Sequence, residues 1–430
     1  MINFLKSVFK KGELRKKVVF TLGILFVFRL GAAITIPSVN AGALGTDATS
    51  GIIGIMNMLG GGTLERFSIF ALGVSPYITS SIIVELLSMD VIPVLTQWSK
   101  EGNTGKKKKD RVTRFVTVAL AILQGSFLTY TFNTGYGILA NSSFMTYVYV
   151  VVVMVAGSML AIWLGDQITK NGVGNGVSLL IFTGIISSIP SAFLATYNDL
   201  INYSSKTLAM DFASFILFIV VYFLIIIFVI FTEGSLRKIP VIYATSSNTV
   251  MKTKEQTHIP FKINSAGVIP VIFASSVLAA PRTIISFMES TETTRMIDGI
   301  LDFQKPVGFG IYIILIIFFT FFYANLQIDP NKISVNLKKN GGSVPGIRTG
   351  EDTEKYIKTV LNRITVLGAT FLVIISAIPI ITPVIWEQTA NSALTLGGTG
   401  LIIMTGVAIE TVKQIRTQIT RKEYHGYIRK

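Results

Sequence analysis

The 430-residue chain has no cysteine, two histidines and three tryptophans, and only 14% of its residues are charged. Without cysteine there is neither a disulfide framework nor thiolate chemistry, and no indication of redox compartment. His258 and His425 stand far apart with no metal-ligand spacing around them, and no catalytic constellation survives inspection. No catalytic residue, metal site or cofactor is therefore expected, and the chain reads as something other than an enzyme. The scarcity of charge, with half of the residues hydrophobic and a mean hydropathy of +0.61, excludes an ordinary soluble globule. Short alternating strands of the membrane-barrel kind are missing too. What is present instead are runs such as 212–231, FASFILFIVVYFLIIIFVIF, which is long enough to cross a bilayer as a helix.

Ten spans are expected, at 18–37, 68–87, 112–131, 146–164, 177–194, 212–231, 263–284, 307–326, 360–380 and 394–415. The first follows a basic leader as a signal peptide would, but it is long and lacks a small-residue cleavage site, so it reads as retained. Of the 38 Lys and Arg residues, 32 lie in, or at the span ends beside, the segments on the side that holds both termini. Five lie on the other side (Arg66, Lys206, Arg282, Arg295 and Lys305), and Arg29 is inside the first span. This asymmetry puts both termini in the cytoplasm.

An internal echo divides the spans into two fives. Gly73-Val74-Ser75-Pro76-Tyr77-Ile78-Thr79-Ser80-Ser81 and Gly267-Val268-Ile269-Pro270-Val271-Ile272-Phe273-Ala274-Ser275 share the pattern G-V-x-P-x-I-x-x-S. Each sits in the second span of its five, and a separation of five spans, an odd number, reverses their direction, the mark of an inverted repeat. Both spans are rich in Ser, Thr and Pro, which suits a shared lumen as well as helix–helix hydrogen bonding. Arg29 falls about 17 Å into the first span at about 1.5 Å per residue, near mid-membrane, where a structural anchor is expected. Gly102-Asn103-Thr104-Gly105-Lys106 has the wrong glycine spacing for a phosphate loop and reads as a solvated basic loop.

Residues 51–62, GIIGIMNMLGGG, are apolar but too short to span, and a triple glycine ends them. Nine helical residues reach about 14 Å, under half of the hydrocarbon thickness. With the flanking spans both meeting the outer side, this stretch is expected to be re-entrant. Two loops on the basic side, 233–262 and 327–358 (the latter with NKISVNLKKNGGSVPGIRTGEDTEKYIK from Asn331), are too long for simple connections and read as functional. A basic projecting loop can meet anionic lipid, ribosomal RNA or an acidic protein surface. At this level a polypeptide channel and a secondary solute transporter both remain open.

Several motifs narrow the choice. Phe28-Arg29-Leu30-Gly31, Ser68-Ile69-Phe70-Ala71-Leu72-Gly73, Trp163-Leu164-Gly165-Asp166-Gln167-Ile168-Thr169, Gly172-Val173-Gly174-Asn175-Gly176, Ala266-Gly267-Val268-Ile269-Pro270, Asn336-Leu337-Lys338-Lys339 and Pro345-Gly346-Ile347-Arg348 occur in one order along the chain. In these the chain resembles, end to end, the SecY family of protein-export channel subunits.

The resemblance implies an all-α polytopic membrane protein of ten helices, in two inverted five-helix halves around an hourglass pore. The leader would be 1–17, the halves 18–205 and 206–415, and the cytoplasmic tail 416–430. It further implies a pore ring of Val74, Ile78, Val177, Ile181, Ile272 and Ile403, and a plug over 51–61 carrying Ile52, Ile53, Ile55, Met56, Met58 and Leu59. Thr79, Gln124, Ser275 and Ser276 would line a lateral gate. Arg237, Lys238, Lys338, Lys339 and Arg348 would meet a motor or the ribosome. Implied partners are SecE-like and SecG-like small membrane subunits, the SecA ATPase, the ribosome, preproteins with signal sequences, and membrane lipids. A specialised accessory export channel fits the same motifs. The chain departs from the family at Thr245-Ser246, where a basic pair is usual, at Val74 and Val177, where isoleucine is commoner, and at Glu85, where glutamine is usual.

Overall fold

The computed structural model describes residues 12–40, 42, 63–64, 66–88, 91–201, 208–243, 258–285, 291–302, 305–385 and 398–428. Plug residues 51–61 and the Thr245-Ser246 departure lie outside the described residues. Helices occur at all ten expected spans: α1 Gly12–Ala32, α2 Ser75–Leu87, α4 Asn103–Tyr136, α5 Phe144–Asn171, α6 Gly176–Leu200, α7 Leu208–Gly234, α8 Ile269–Ile285, α10 Pro306–Gln327, α12 Glu351–Ile385 and α13 Gly398–Ile428. Among the described residues, six helical stretches are long and apolar enough to cross a membrane. Three short helices, α3 Pro93–Lys100, α9 Glu292–Leu301 and α11 Pro330–Lys339, lie between spans. The loops also hold four strands, which hydropathy gives no reason to expect: β1 Leu236–Pro240, β2 Ile242–Tyr243, β3 His258–Lys262 and β4 Gly342–Ser343.

The chain forms two compact units, Met1–Asn198 with Asn391–Thr395 and Val407–Lys430, and Asp199–Ala390 with Leu396–Gly406. The last helix, α13, thus contributes to both. Its second part belongs with the first unit because Ile415 and Ile419 pack on Val173, alongside Leu14 and Val18. The expected leader and tail are partly helical: α1 starts at Gly12 and α13 runs on to Ile428.

In the first unit the core comprises Ile36, Leu64, Phe67, Leu72, Leu128, Phe132, Ile138 and Met154 with their neighbours. Phe67 and Phe132 meet edge to face, with centroids 5.7 Å apart. The chain leaving α1 is tied to the chain entering α2, since Ile36 N–H donates to the Phe67 carbonyl and Ile69 N–H to the Ile34 carbonyl, both at 3.0 Å. Asn40 N–H donates to the Ile138 carbonyl at 2.8 Å. Thr63 and Leu64, directly after the triple glycine, are fully buried. The described chain on either side of the short apolar segment, at Asn40 and at Thr63–Leu64, is therefore held. Arg29 falls in the last turn of α1 rather than at mid-span. The helix ends at Ala32, five residues before the expected limit, and a cation at a helix C-terminus is favourable. The second unit's core gathers Val229, Val271, Ala274, Leu278, Tyr312, Ile316, Phe371, Leu372, Ile375 and Ile402.

The internal echo is a structural repeat. Both α2 and α8 start later than their apolar runs, after a glycine with positive φ (Gly73 +53°, Gly267 +65°) and with proline as second helical residue. In each unit the fourth span brings a glycine against the chain entering the broken helix. A side chain on Gly157 of α5 would overlap the Ile69 carbonyl, and a Cβ on Gly368 of α12 would stand 2.8 Å from the Ile263 carbonyl oxygen. Ile69 and Ile263 each lie four residues before the positive-φ glycine, so the two seats are equivalent. Small residues at helix contacts are what close packing within a bilayer uses. Valine at either glycine should destabilise the unit that carries it by about 1–3 kcal/mol. Thermal unfolding of the two single variants checks this, with a lowered midpoint expected for each and the larger loss for Gly157→Val.

Candidate functional site

The first unit's break displays three of the sequence-predicted site residues, Val74, Ile78 and Thr79. Pro76 lacks an amide hydrogen and suits a helix's first turn. Val74 is buried and Ile78 half-buried, and the Ile78 N–H donates to the Val74 carbonyl at 3.1 Å. The Gly73 carbonyl, turned out of the helix, accepts from the Ser158 hydroxyl at 2.6 Å. Thr79 donates its hydroxyl to the Ser75 carbonyl at 3.2 Å within its own helix. The Gln124 Oε1 is buried with no partner among the described residues. Ser80, which sequence reasoning did not single out, meets Thr117 of α4 at 2.5 Å and joins α2 to α4.

Val177 and Ile181 lie in the first turns of α6, Val177 half-buried and Ile181 buried. The Gly172–Gly176 turn sets this start: Val173 N–H donates to Thr21 Oγ1 at 3.0 Å and Gly176 N–H to Thr169 Oγ1 at 2.9 Å. A side chain at Gly176 would overlap the Gly165 carbonyl. The two glycine motifs read in the sequence therefore pack on each other.

In the second unit, Ile272 N–H donates to the Val268 carbonyl at 3.3 Å, matching Ile78 and Val74. Ile272 is half-buried and Ile403, on α13, is buried. Ser275 donates to the Ile272 carbonyl at 2.9 Å. The Ser276 side chain, and plug residues Ile52, Ile53, Ile55, Met56, Met58 and Leu59, lie outside the described residues.

The two long loops fold together. β1 and β3 form an antiparallel ribbon with Ile239 opposite Ile259 and Arg237 opposite Phe261. β2 pairs with β4, Tyr243 opposite Gly342, and so joins the loop before α8 to the loop before α12. Beneath lies a hydrophobic core of Ile239, Val241, Phe261, Leu337, Val344, Ile357 and Ile364. Gly342 is required at this junction, since a Cβ there would stand 2.9 Å from the Tyr243 ring. Asp329 caps α11 by accepting the N–H groups of Asn331 at 3.0 Å and Lys332 at 3.2 Å. The Arg348 carbonyl accepts from Thr353 Oγ1 at 2.7 Å. Arg237, Lys238, Lys338, Lys339 and Arg348 are all exposed on this one platform, held by an apolar core rather than spread over free loops.

Glu85 gains a physical account. Its Oε2 lies 3.2 Å from Lys109 Nζ, and that ammonium also donates to Ser88 and Ser99 at 3.2 Å each. The Lys109 side chain is only 16% exposed, so the carboxylate compensates a cation largely withdrawn from water. Arg114 and Asp166 tie α4 to α5 at 2.6 Å. The phosphate-loop-like stretch is the first turn of α4: Gly102 has φ +69°, and a side chain at Gly105 would overlap the Trp98 carbonyl. Lys108 sits 5.6 Å above the Trp98 ring and 2.9 Å from Glu101. These partners are 7 to 52 residues apart along the chain, and no sequence spacing announces them.

Two units with equivalent broken helices, several helices able to cross a bilayer, and a basic extramembrane platform define a multi-pass membrane protein of the inverted-repeat class. The family model for SecY matches residues 68–412. The protein translocase subunit SecY of Bacillus subtilis strain 168 is 41% identical over 434 aligned positions, covering all of both chains. Among solved structures, the SecY protein whose plug domain stabilises the closed state of its translocation channel superposes with a TM-score of 0.63 at 19% identity, covering 94% of this chain and 92% of that one. Sec61 in the canine ribosome-channel complex gives a TM-score of 0.59 at 16% identity over the same shares. The chain belongs to the SecY family.

Removing the Glu85 carboxylate should expose what it does. Glu85→Ala leaves Lys109 short of its anion and should cost about 1–3 kcal/mol, whereas Glu85→Gln keeps an acceptor and should cost less. Unfolding midpoints of the two variants in detergent measure the difference; equal and negligible losses would show the pair to be idle.

Proposed function

We propose that this chain is the protein-conducting subunit of a bacterial export translocon, passing unfolded preproteins across the cytoplasmic membrane and releasing membrane segments sideways. The observation that carries the reading is the shared geometry of the two breaks. Ile78 and Ile272 each bond through their amide to the valine that follows a positive-φ glycine, so an aliphatic side chain is offered at the same point in each half. Family membership supports completing the ring with Val74, Val177, Ile181 and Ile403. A narrow aliphatic ring excludes ions and water by dewetting and fits around a passing chain. A solute transporter would instead need convergent polar groups at that level.

On this reading 51–61 is the plug, closing the outer funnel, and the triple glycine lets it leave while Thr63 and Leu64 stay fixed. Thr79, Gln124, Ser275 and Ser276 line the lateral gate, which opens for a signal sequence that binds the open state better. Energy comes from SecA or a translating ribosome acting on the platform, and the chain itself catalyses nothing. The ribosome bound by the Sec61 channel supports a ribosomal contact here, and an exposed basic surface suits ribosomal RNA. SecE-like and SecG-like subunits brace the two halves. The charge asymmetry supports cytoplasmic termini.

The absence of cysteine makes the ring directly testable. Ile78→Cys and Ile272→Cys should each form a disulfide with a single-cysteine preprotein stalled in transit, and no cross-link at either position would remove the pore assignment. Arg348→Glu should abolish SecA-driven export into membrane vesicles while the chain still inserts; export at the unsubstituted rate would deny Arg348 a role with the motor.

A further inference from the structure

Helix α9, Glu292–Leu301, links α8 to α10 and is turned the wrong way round for a helix in water. Its apolar residues Met296, Ile297, Ile300 and Leu301 form one stripe and its charges Glu292, Arg295 and Asp298 another. The edge packed on the protein runs through Thr294, Asp298 and Leu301, each half-buried. Met296, Ile297 and Ile300 point away, 70%, 41% and 45% exposed. No residue of the helix is buried.

The helix is nonetheless well anchored. At its start, Thr291 N–H donates to Thr294 Oγ1 at 2.9 Å in a capping box. At its end, Gly308 lets α10 come so close that a side chain there would overlap the Asp302 carbonyl, with the Ile300 carbonyl oxygen 2.9 Å from the Cβ position. Ten residues are too few for a stable helix in water by themselves. A helix this short with its apolar face outward calls for an apolar medium on that side.

Its place in the chain says which medium. α10 begins as a span five residues after α9 ends, and its own outward residues Val307, Ile314 and Phe318 are 60%, 67% and 59% exposed, as a lipid-facing helix requires. Helix α9, close before α10 in the chain and touching it, exposes its apolar face in the same way. Its charged stripe carries two acids and one base, so anionic headgroups contribute little attraction and apolar insertion must dominate.

We propose that α9 is a membrane-surface helix, lying in the headgroup region of the leaflet where α10 starts, with Met296, Ile297 and Ile300 among the acyl chains. It holds the end of α8, the helix that carries Ile272 and Ser275, at a set depth in the bilayer. This requires only that α10 spans the membrane and is independent of what the channel conducts.

The cysteine-free chain permits a site-by-site test. Met296→Cys, Ile300→Cys and Arg295→Cys, each labelled with an environment-sensitive fluorophore, are reconstituted as full-length protein in phosphatidylcholine vesicles. Labels at 296 and 300 should emit blue-shifted light and lose intensity to phosphatidylcholine doxyl-labelled near the headgroup, and the label at 295 should lose it to aqueous iodide instead. Iodide quenching at 296 and 300 would place the face in water and overturn the proposal. Protection of both from either quencher would also overturn it, in favour of a protein partner. Lipid quenching at all three would make the segment embedded rather than surface-lying, which is likewise fatal.

Discussion

Within a bilayer a peptide group that leaves its helix finds no water, so the protein itself must satisfy it. Both units of this chain start a helix late within an apolar run and meet that constraint in related ways. Residues 68–74 run as successive turns whose carbonyls find Ser158 and neighbouring amides, and Gly157 admits the Ile69 carbonyl to the face of α5. Gly368 admits the Ile263 carbonyl to α12 in the same manner. A positive-φ glycine and a proline then restart the helix. Everything that makes the chain a candidate channel, from the placement of Ile78 and Ile272 to the polar character of α2 and α8, hangs on these two restarts.

Two kinds of cohesion divide the molecule. Between spans, where lipid is as apolar as any side chain, small residues and hydroxyls add close contacts to the apolar cores: Gly157 at Ile69, Ser80 at Thr117. The platform outside the bilayer is built instead like a small soluble domain, with Ile239, Phe261, Leu337 and Ile357 withdrawn from water and lysines and arginines facing it. Pro240 and Pro260 in its ribbon leave edges that cannot accept a further strand at those positions.

Helices at the ten expected positions were legible because hydrophobic length is the strongest signal a membrane chain carries. Their ends were less so: the apolar runs at 68–74 and 263–268 continue straight through the turns, and only Gly73, Pro76, Gly267 and Pro270 hint at the true starts. Arg29 lies in the last turn of α1 because the helix ends before the apolar run does. The strands were hidden because two-residue pairings such as Ile242–Tyr243 with Gly342–Ser343 join segments about a hundred residues apart. Glu85 could not be explained from sequence, since its partner Lys109 is brought round by the turn between α3 and α4. Family motifs, by contrast, marked real contacts, as the mutual packing of Gly165 and Gly176 demonstrates.

The β2–β4 pairing has a mechanical side. One strand lies between α7 and α8, the other between α10 and α12, and Tyr243 seated on Gly342 locks them. A force applied to either loop is therefore shared among the ends of four helices rather than unravelling one connection. The load reaches α8 by a short route, because β3 ends at Lys262 and the broken helix restarts seven residues later at Ile269. Whatever grips the platform holds a lever whose nearest fulcrum is the glycine at 267.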